Sequence, residues 1–240
     1  MKLATITSSE RAQVLKSNKI FAGLPAGEID ALAAAARLDT CRARDYVFME
    51  GDPAEWLCIV KSGRVRIVRH SRTGKDVVLE LLGPGEIFGG VAVIEKRSYP
   101  AAAQAIEASV ILKIPAPALV ALSERHPSVI RELALMIGRR LREAHDSMKS
   151  LAGDPVEARL AAILLRLARR DGVRTGAGLT LPFHLTRQIL ADMCGTTVET
   201  TIRVLSRWTR DGLIEAEGAR LVVMDAESLD EIAAGEKEGT

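Results

Sequence analysis

The chain has 240 residues, which fits two modest domains or one large one, and 48% of them are apolar, ample for a packed core. Its 33 basic and 31 acidic residues leave a net charge of +2, so a nucleic-acid binder of this composition needs its charge placed locally. No run approaches the ~18 consecutive apolar residues of a membrane span, and residues 1–10 lack the apolar centre of an export signal, so the chain is expected in the cytoplasm, with no membrane partner.

In chain order, residues 11–37 read as helical, with a break at Gly23, Leu24 and Pro25. From Asp45 the pattern changes to short β-like runs, 46–49, 56–60, 65–68 and 77–82, each followed by glycine. Arg64, Val65, Arg66 and Ile67 alternate polar and apolar, as a half-buried strand does. Glycines at 51, 63, 74 and 83, with turn signals at Gly51, Gly74 and Gly83, recur at roughly 10-residue spacing, which points to a compact β-sandwich or roll. Two further strands, 101–106 and 110–114, end where Pro115 and Pro117 interrupt.

A long helix follows from Pro127, with no proline or break until Gly153. Leu133, Ile137, Leu141, Ala144, Met148 and Leu151 step by threes and fours, the heptad-like seam of a helix facing a partner helix. The plainer alternative is that the stripe packs on its own β-domain. Asp154 and Pro155 open the next helix as N-cap and first turn, and Val156, Leu160, Ile163, Leu164 and Leu167 form its apolar face. The expected domains are 1–126 (β-roll with N-terminal helices), 127–152 (long helix), 153–228 (C-terminal domain) and 229–240 (polar tail).

Residues 185–223 carry the chemistry. Thr186 can cap a helix from Arg187 to Cys194, Gly195 permits a sharp turn, and Thr196 and Thr197 can cap a second helix from Val198 to Arg210. Ile202, Leu205 and Trp208 are expected to pack on the first helix. Asp211 and Gly212 stop the second, and Ile214, the turn at Glu217 and Gly218, and Leu221 to Val223 read as a β-hairpin. Helix, glycine turn, helix and hairpin describe a winged helix-turn-helix. Its second helix suits the major groove, with Val198, Glu199 and Arg203 on base edges. Arg203 can donate twice to guanine, and Glu199 can accept from cytosine and brace Arg203 one turn later. Arg187, Thr197, Thr200, Arg207 and Arg220 suit phosphates.

Leu185 to Gln188, Gly195, Glu199, Thr200, Arg203 to Leu205 and Asp211 to Ile214 strongly resemble the signature of the CRP/FNR regulators, over roughly residues 20–225. The glycines Gly51, Gly63 and Gly89 resemble the family's cyclic-nucleotide-binding-like domain, and residues 128–151 its dimer helix. The resemblance implies an α+β fold: an N-terminal β-roll of the cyclic-nucleotide-binding-like jelly-roll kind, a long dimerisation helix and a C-terminal winged helix-turn-helix. It implies a homodimer on a DNA palindrome, with RNA polymerase as a further partner. It also places an effector pocket at Gly89, Gly90, Tyr99 and Pro100. The family's cAMP receptor has a glutamate after the turn glycine and an arginine–serine pair about ten residues later; here Gly90 and then Tyr99 and Pro100 stand there. A small gap brings Arg97 and Ser98 into that place but does not restore the glutamate. Cyclic AMP is therefore disfavoured, since an unpaired buried phosphate charge is costly.

Val198, Glu199 and Thr200, with no arginine before Glu199, resemble the FNR side of the family, which implies a site similar to TTGAT-N4-ATCAA; Ile202 departs from the serine often found at its position. No cysteine precedes Cys41, so the iron–sulfur cluster of oxygen-sensing FNR proteins is not implied. Residues 99–105 are similar to Dnr-type regulators, which respond to nitric oxide through haem, although a structural strand explains the run equally well. Haem stays open as a cofactor, with His70, His126, His145 and His184 as candidate axial ligands; the plainer reading of each is a solvated or satisfied histidine. Cys41, Cys58 and Cys194 are scattered, which argues against a disulfide framework and against a zinc site, and reads as three plain buried thiols. No nucleophile–base pair, P-loop or dinucleotide fingerprint occurs, so no enzyme is expected. The alternatives are a cyclic-nucleotide-responsive regulator and a small-molecule-binding or scaffolding protein whose winged helix does not touch DNA.

Overall fold

The structure, a computed structural model, describes residues 8–70, 76–176, 178–217 and 220–235. Two compact units are present, one of the chain up to Arg69 with Glu80–Leu141, the other of His70–Leu79 with the chain beyond Leu141.

The first unit begins with helices α1 (Ser8–Ser17) and α2 (Ala26–Ala35). The strands are β1 (Arg37–Cys41), β2 (Tyr46–Phe48), β3 (Trp56–Ser62), β4 (Val65–His70), β5 (Asp76–Leu82), β6 (Ile87–Phe88), β7 (Ala102–Ala105) and β8 (Ser109–Pro115). A short helix α3 (Gly90–Glu95) follows β6, and α4 (Ala116–Arg125) and α5 (Pro127–Gly153) follow β8, the residues of α5 beyond Leu141 belonging to the second unit. Two four-stranded sheets run β1-β8-β3-β6 and β2-β7-β4-β5. Side chains alternate along a strand, so β3 supplies two cores. Cys58 and Val60 join Val65, Leu82, Phe88, Ala103 and Ile111 between the sheets. Leu57 and Ile59 face the other way, with Leu112 and Ile114, against Leu15, Ile29, Leu119 and Val129 of the helices. Burial on both faces explains why β3 reads as one apolar run rather than an alternation.

Several expectations change here. β1 lies where the helical reading ended; β8 ends at Pro115 as expected, and the two prolines also begin a helix that was not expected, α4, with Pro115 as its N-cap residue, since proline in a first turn loses no helical hydrogen bond. Leu133 does not belong to an outward seam. It is 4% exposed and packs in the helix-side core of its own unit with Val129. The outward stripe of α5 is Ile130, Ile137, Leu141, Met148 and Leu151, 40 to 58% exposed, with Ala144 also exposed.

The second unit holds α6 (Val156–Asp171), β9 (Val173–Thr175), β10 (Gly178–Thr180), α7 (Arg187–Cys194), α8 (Val198–Arg210), β11 (Ile214–Glu217), β12 (Arg220–Val223) and α9 (Ala226–Ala234). Its sheet runs β11-β12-β10-β9, so the expected wing hairpin pairs with a second hairpin. Asp154 does not cap α6; its carboxylate accepts from Ser150 Oγ at 2.5 Å, and Pro155 holds the N-cap position without a side-chain bond. Residues 229–234 of the expected tail instead belong to the helix α9, and residues 236–240 lie outside the described residues. Asp225 accepts from Ser228 N at 3.0 Å to start α9, and Leu229 and Ile232 are buried as α9 packs on α6. Gly218 lies outside the described residues. No helix among those described is long and apolar enough to cross a membrane.

Candidate nucleic-acid interface

Local chemistry sets the geometry of α7 and α8. Thr186 Oγ1 accepts from Ile189 N at 3.2 Å and starts α7. Gly195 ends it with φ +65°, its N–H returning to Ala191 O. A Cβ there would lie 2.8 Å from Leu151 Cδ2, so the turn favours glycine both by conformation and by space. Thr197 Oγ1 accepts from Thr200 N at 3.2 Å and starts α8, and its hydroxyl donates to Thr200 Oγ1 at 3.2 Å. Of the two threonines expected at phosphates, Thr197 is thus already used to cap the helix, an N-cap being worth about 1 kcal/mol, and the Thr200 hydroxyl accepts from it.

Thr201, Val204, Leu205 and Trp208 form the buried face of α8, each under 5% exposed. Ile202 was expected on that face and is not: at 3.6 residues per turn it stands about 120° from Trp208, and it is 46% exposed. Glu199, Arg203, Ser206 and Arg210 share its exposed side, and Val198 is half-buried at the first turn. The expected brace between Glu199 and Arg203 does not form; among the described residues neither has an ion-pair partner. Arg187 is half-exposed at the start of α7 and Arg220 is exposed at the start of β12.

Arg207 is placed differently from its expected phosphate role. Its guanidinium pairs with Glu157 of α6, which raises its pKa further. A second arginine, absent from the sequence reading, ties the motif to α6: Arg159 Nε donates to Cys194 O at 3.0 Å and Nη1 to Asp154 O at 2.7 Å. No spacing rule points to Arg159, because its partner carbonyl lies far along the chain.

The four residues assigned to an effector pocket do come together in part, but they do not line an open one. Gly89 has φ +78°, and a Cβ on it would lie 3.0 Å from both Trp56 O and Tyr99 Cε1. Tyr99 fills the space beneath the turn: it is 3% exposed and stacks on Phe48 with ring centroids 3.6 Å apart. Its hydroxyl donates to Trp56 O at 2.7 Å and accepts from Trp56 N at 3.0 Å. Burial pushes its pKa up to about 12. Gly90 is buried against Leu57, and Pro100 is exposed. Arg97 and Ser98 do not replace the missing pair; they line an outer cleft of about 610 Å³ with Glu55 and Glu124.

Two of the four histidines face carboxylates. His70 Nδ1 lies 2.7 Å from Asp76, and His126 Nε2 lies 3.2 Å from Glu28, while His145 and His184 are exposed. Among the described residues no group of three His, Cys, Asp or Glu side chains converges on a metal position. Cys58 and Cys194 are buried and Cys41 is half-buried, all three free.

The known proteins this chain is similar to agree with that geometry. Residues 38–126 match a model described as a cyclic nucleotide-binding domain, and residues 158–232 match a Crp-like helix-turn-helix domain. The cyclic AMP receptor protein of Thermus thermophilus is 32% identical over 221 residues, covering 92% of this chain and 99% of that one. The transcriptional activator protein anr of Pseudomonas aeruginosa is 29% identical over 195 residues, covering 81% of this chain and 80% of its own. The solved structure of FixK2 from Bradyrhizobium japonicum superposes with a TM-score of 0.75 at 24% identity, over 85% of this chain and 99% of that one, a likeness of fold. The two curated relatives are named as a receptor protein and a transcriptional activator.

Proposed function

Because the chain belongs to the CRP/FNR family of transcription regulators, we propose that it works as a cytoplasmic homodimer that reads an inverted-repeat DNA site with α8 and acts on RNA polymerase. The observation that carries the DNA reading is the outward face of α8. Glu199 and Arg203 stand there exposed and, among the described residues, without ion-pair partners, on a helix whose start is fixed by Thr197 and Gly195 and whose buried face is filled by Trp208. A guanidinium and a carboxylate one turn apart can address a guanine and a cytosine in the major groove. Arg187 and Arg220 are the cations left to hold phosphates, and Arg207 positions α8 through Glu157. Half-sites similar to TTGAT suit this pair.

The exposed apolar stripe of α5, from Ile130 to Leu151, supports the dimer, since a heptad-spaced apolar face on an exposed helix is stable when a second helix covers it. The Thermus relative is named for cyclic AMP. Here the space beneath Gly89 is occupied by the Tyr99 ring, and the turn offers neither carboxylate nor guanidinium. We therefore read the β-domain as one that does not take a cyclic nucleotide at that turn.

The test compares wild type with Arg203→Ala by fluorescence anisotropy on a duplex carrying the TTGAT palindrome and on random duplex. Loss of about 1–3 kcal/mol on the specific duplex and little on random DNA is expected. Equal losses on both count against base readout by α8, and affinity indifferent to salt counts against phosphate contacts and so against DNA as the partner.

A further inference from the structure

The outer cleft of the first unit, about 610 Å³, opens between the end of α3, the loop before β3 and α4. Its walls are pinned to one another. Pro53 and Ser98 form an isolated β-bridge, and Ala116 N, at the start of α4, donates to Glu55 O at 2.8 Å. Pro117, Val120, Ala121 and Glu124 of α4 line the cleft at steps of three and four, which share one helix face. Val93 of α3 completes an apolar floor. Four exposed charges stand round that floor, Glu55 and Glu124 with Lys96 and Arg97. Elsewhere on this unit exposed opposite charges close on each other, as Arg125 does on Glu28 and Arg37 on Asp39. Around the cleft they do not: among the described residues none of the four makes an ion pair. Lys96 is also the C-cap of α3 with φ +54°, a left-handed conformation that glycine takes at no steric cost. A lysine held there, with Arg97 N donating to Ala92 O at 3.0 Å, fixes two cations at one wall; residues kept in such conformations cluster at ligand sites. A volume of this order belongs to small-molecule sites. An occupant that satisfies the walls has an apolar body, an anionic end and a cationic end.

We propose that the cleft between α3 and α4 is a binding site for a small aliphatic zwitterion, its carboxylate held by Lys96 and Arg97 and its ammonium by Glu55 and Glu124. A free aliphatic amino acid and a short apolar peptide share that chemistry. The site lies wholly in the first unit, so its test is independent of how α8 meets DNA.

Isothermal titration calorimetry on the full-length protein tests this, with L-leucine and L-leucyl-L-leucine as probes. Saturable binding of at least one is expected, and the tighter of the two identifies the source. Acetylating the amine or amidating the carboxylate of that probe is expected to weaken binding about fivefold, the worth of one exposed ion pair. Arg97→Ala and Glu124→Gln should each lose a similar factor on the unmodified probe. Arg97→Ala should lose nothing further on the amidated probe, nor Glu124→Gln on the acetylated one, because the interaction is already gone. Lys96→Gly relaxes the positive φ, so it should keep the wild-type melting temperature while it weakens binding. No saturable binding of either probe at millimolar concentration overturns the proposal. So does binding that survives both capped forms, or that Arg97→Ala and Glu124→Gln leave unchanged, since the probe then sits elsewhere. The capped probes on the wild type need no variant to fold.

Discussion

Replacing Tyr99 by phenylalanine isolates the contact that closes the turn at Gly89. The ring and its stack on Phe48 remain, and the hydroxyl that spans the backbone N–H and C=O of Trp56, at 3.0 and 2.7 Å, is lost. A buried polar group left without its partner costs about 1–3 kcal/mol. Two such groups on a half-buried residue, taken near the lower end of that range, give about 2–3 kcal/mol in all. For a chain of this size each kcal/mol lowers the melting temperature by about 2–4 °C, so a fall of about 4–12 °C is expected in thermal unfolding followed by circular dichroism. The effect also depends on pH. Burial raises the phenol from 10.0 to about 12, so between those values the unfolded chain gives up its proton while the folded one holds it. The advantage of wild type over Tyr99→Phe is thus complete below about 10 and fades as pH rises toward about 12. A melting temperature within about 1 °C of wild type, or an advantage that grows above pH 10, refutes the plug.

Glu28 behaves in the opposite sense. Hydrogen bonds from Arg125 and then His126 lower its pKa from 4.5 to about 2, so its contribution is present above 4.5 and is lost as pH falls toward about 2. Urea midpoints measured across that range should fall less steeply for Glu28→Gln than for wild type, and parallel acid limbs would speak against the contact. Burial pushes the Cys58 thiol up to about 12 and raises that of Cys194 as well. A disulfide exchange reagent at pH 8 should label the half-buried Cys41 first and reach Cys58 only on unfolding, since the thiolate is the reactive form; prompt labelling of Cys58 contradicts its placement between the sheets.

Features set by neighbours in sequence were legible before the structure. Caps and turns act over three or four residues, so Thr186, Gly195 and Thr197 marked the boundaries of α7 and α8, and the unbroken run from Pro127 marked α5 to within a residue. Features set by distant neighbours were not. Spacing by threes and fours serves an inward face and an outward one alike, and only the position of the sheets shows that Leu133 turns inward while Ile137 stays exposed. The same ambiguity misassigned Ile202. Arg207 was read as a phosphate contact because Glu157, which holds it, lies far back in the chain. Tyr99 was read as a wall of a pocket, yet a side chain large enough to line a small site is also large enough to fill it. Short elements such as β1 and β6 owe their existence to the strands beside them and carry little pattern of their own.

The most direct measurement is selection from a pool of random duplexes by the full-length protein, followed by sequencing of the bound fraction. Enrichment of an inverted repeat whose half-sites are centred about one helical turn apart is the expected result, since two recognition helices of a symmetric dimer reach successive major grooves. Failure to enrich any sequence, or enrichment of an isolated half-site with no inverted partner, contradicts a dimer that reads DNA with α8.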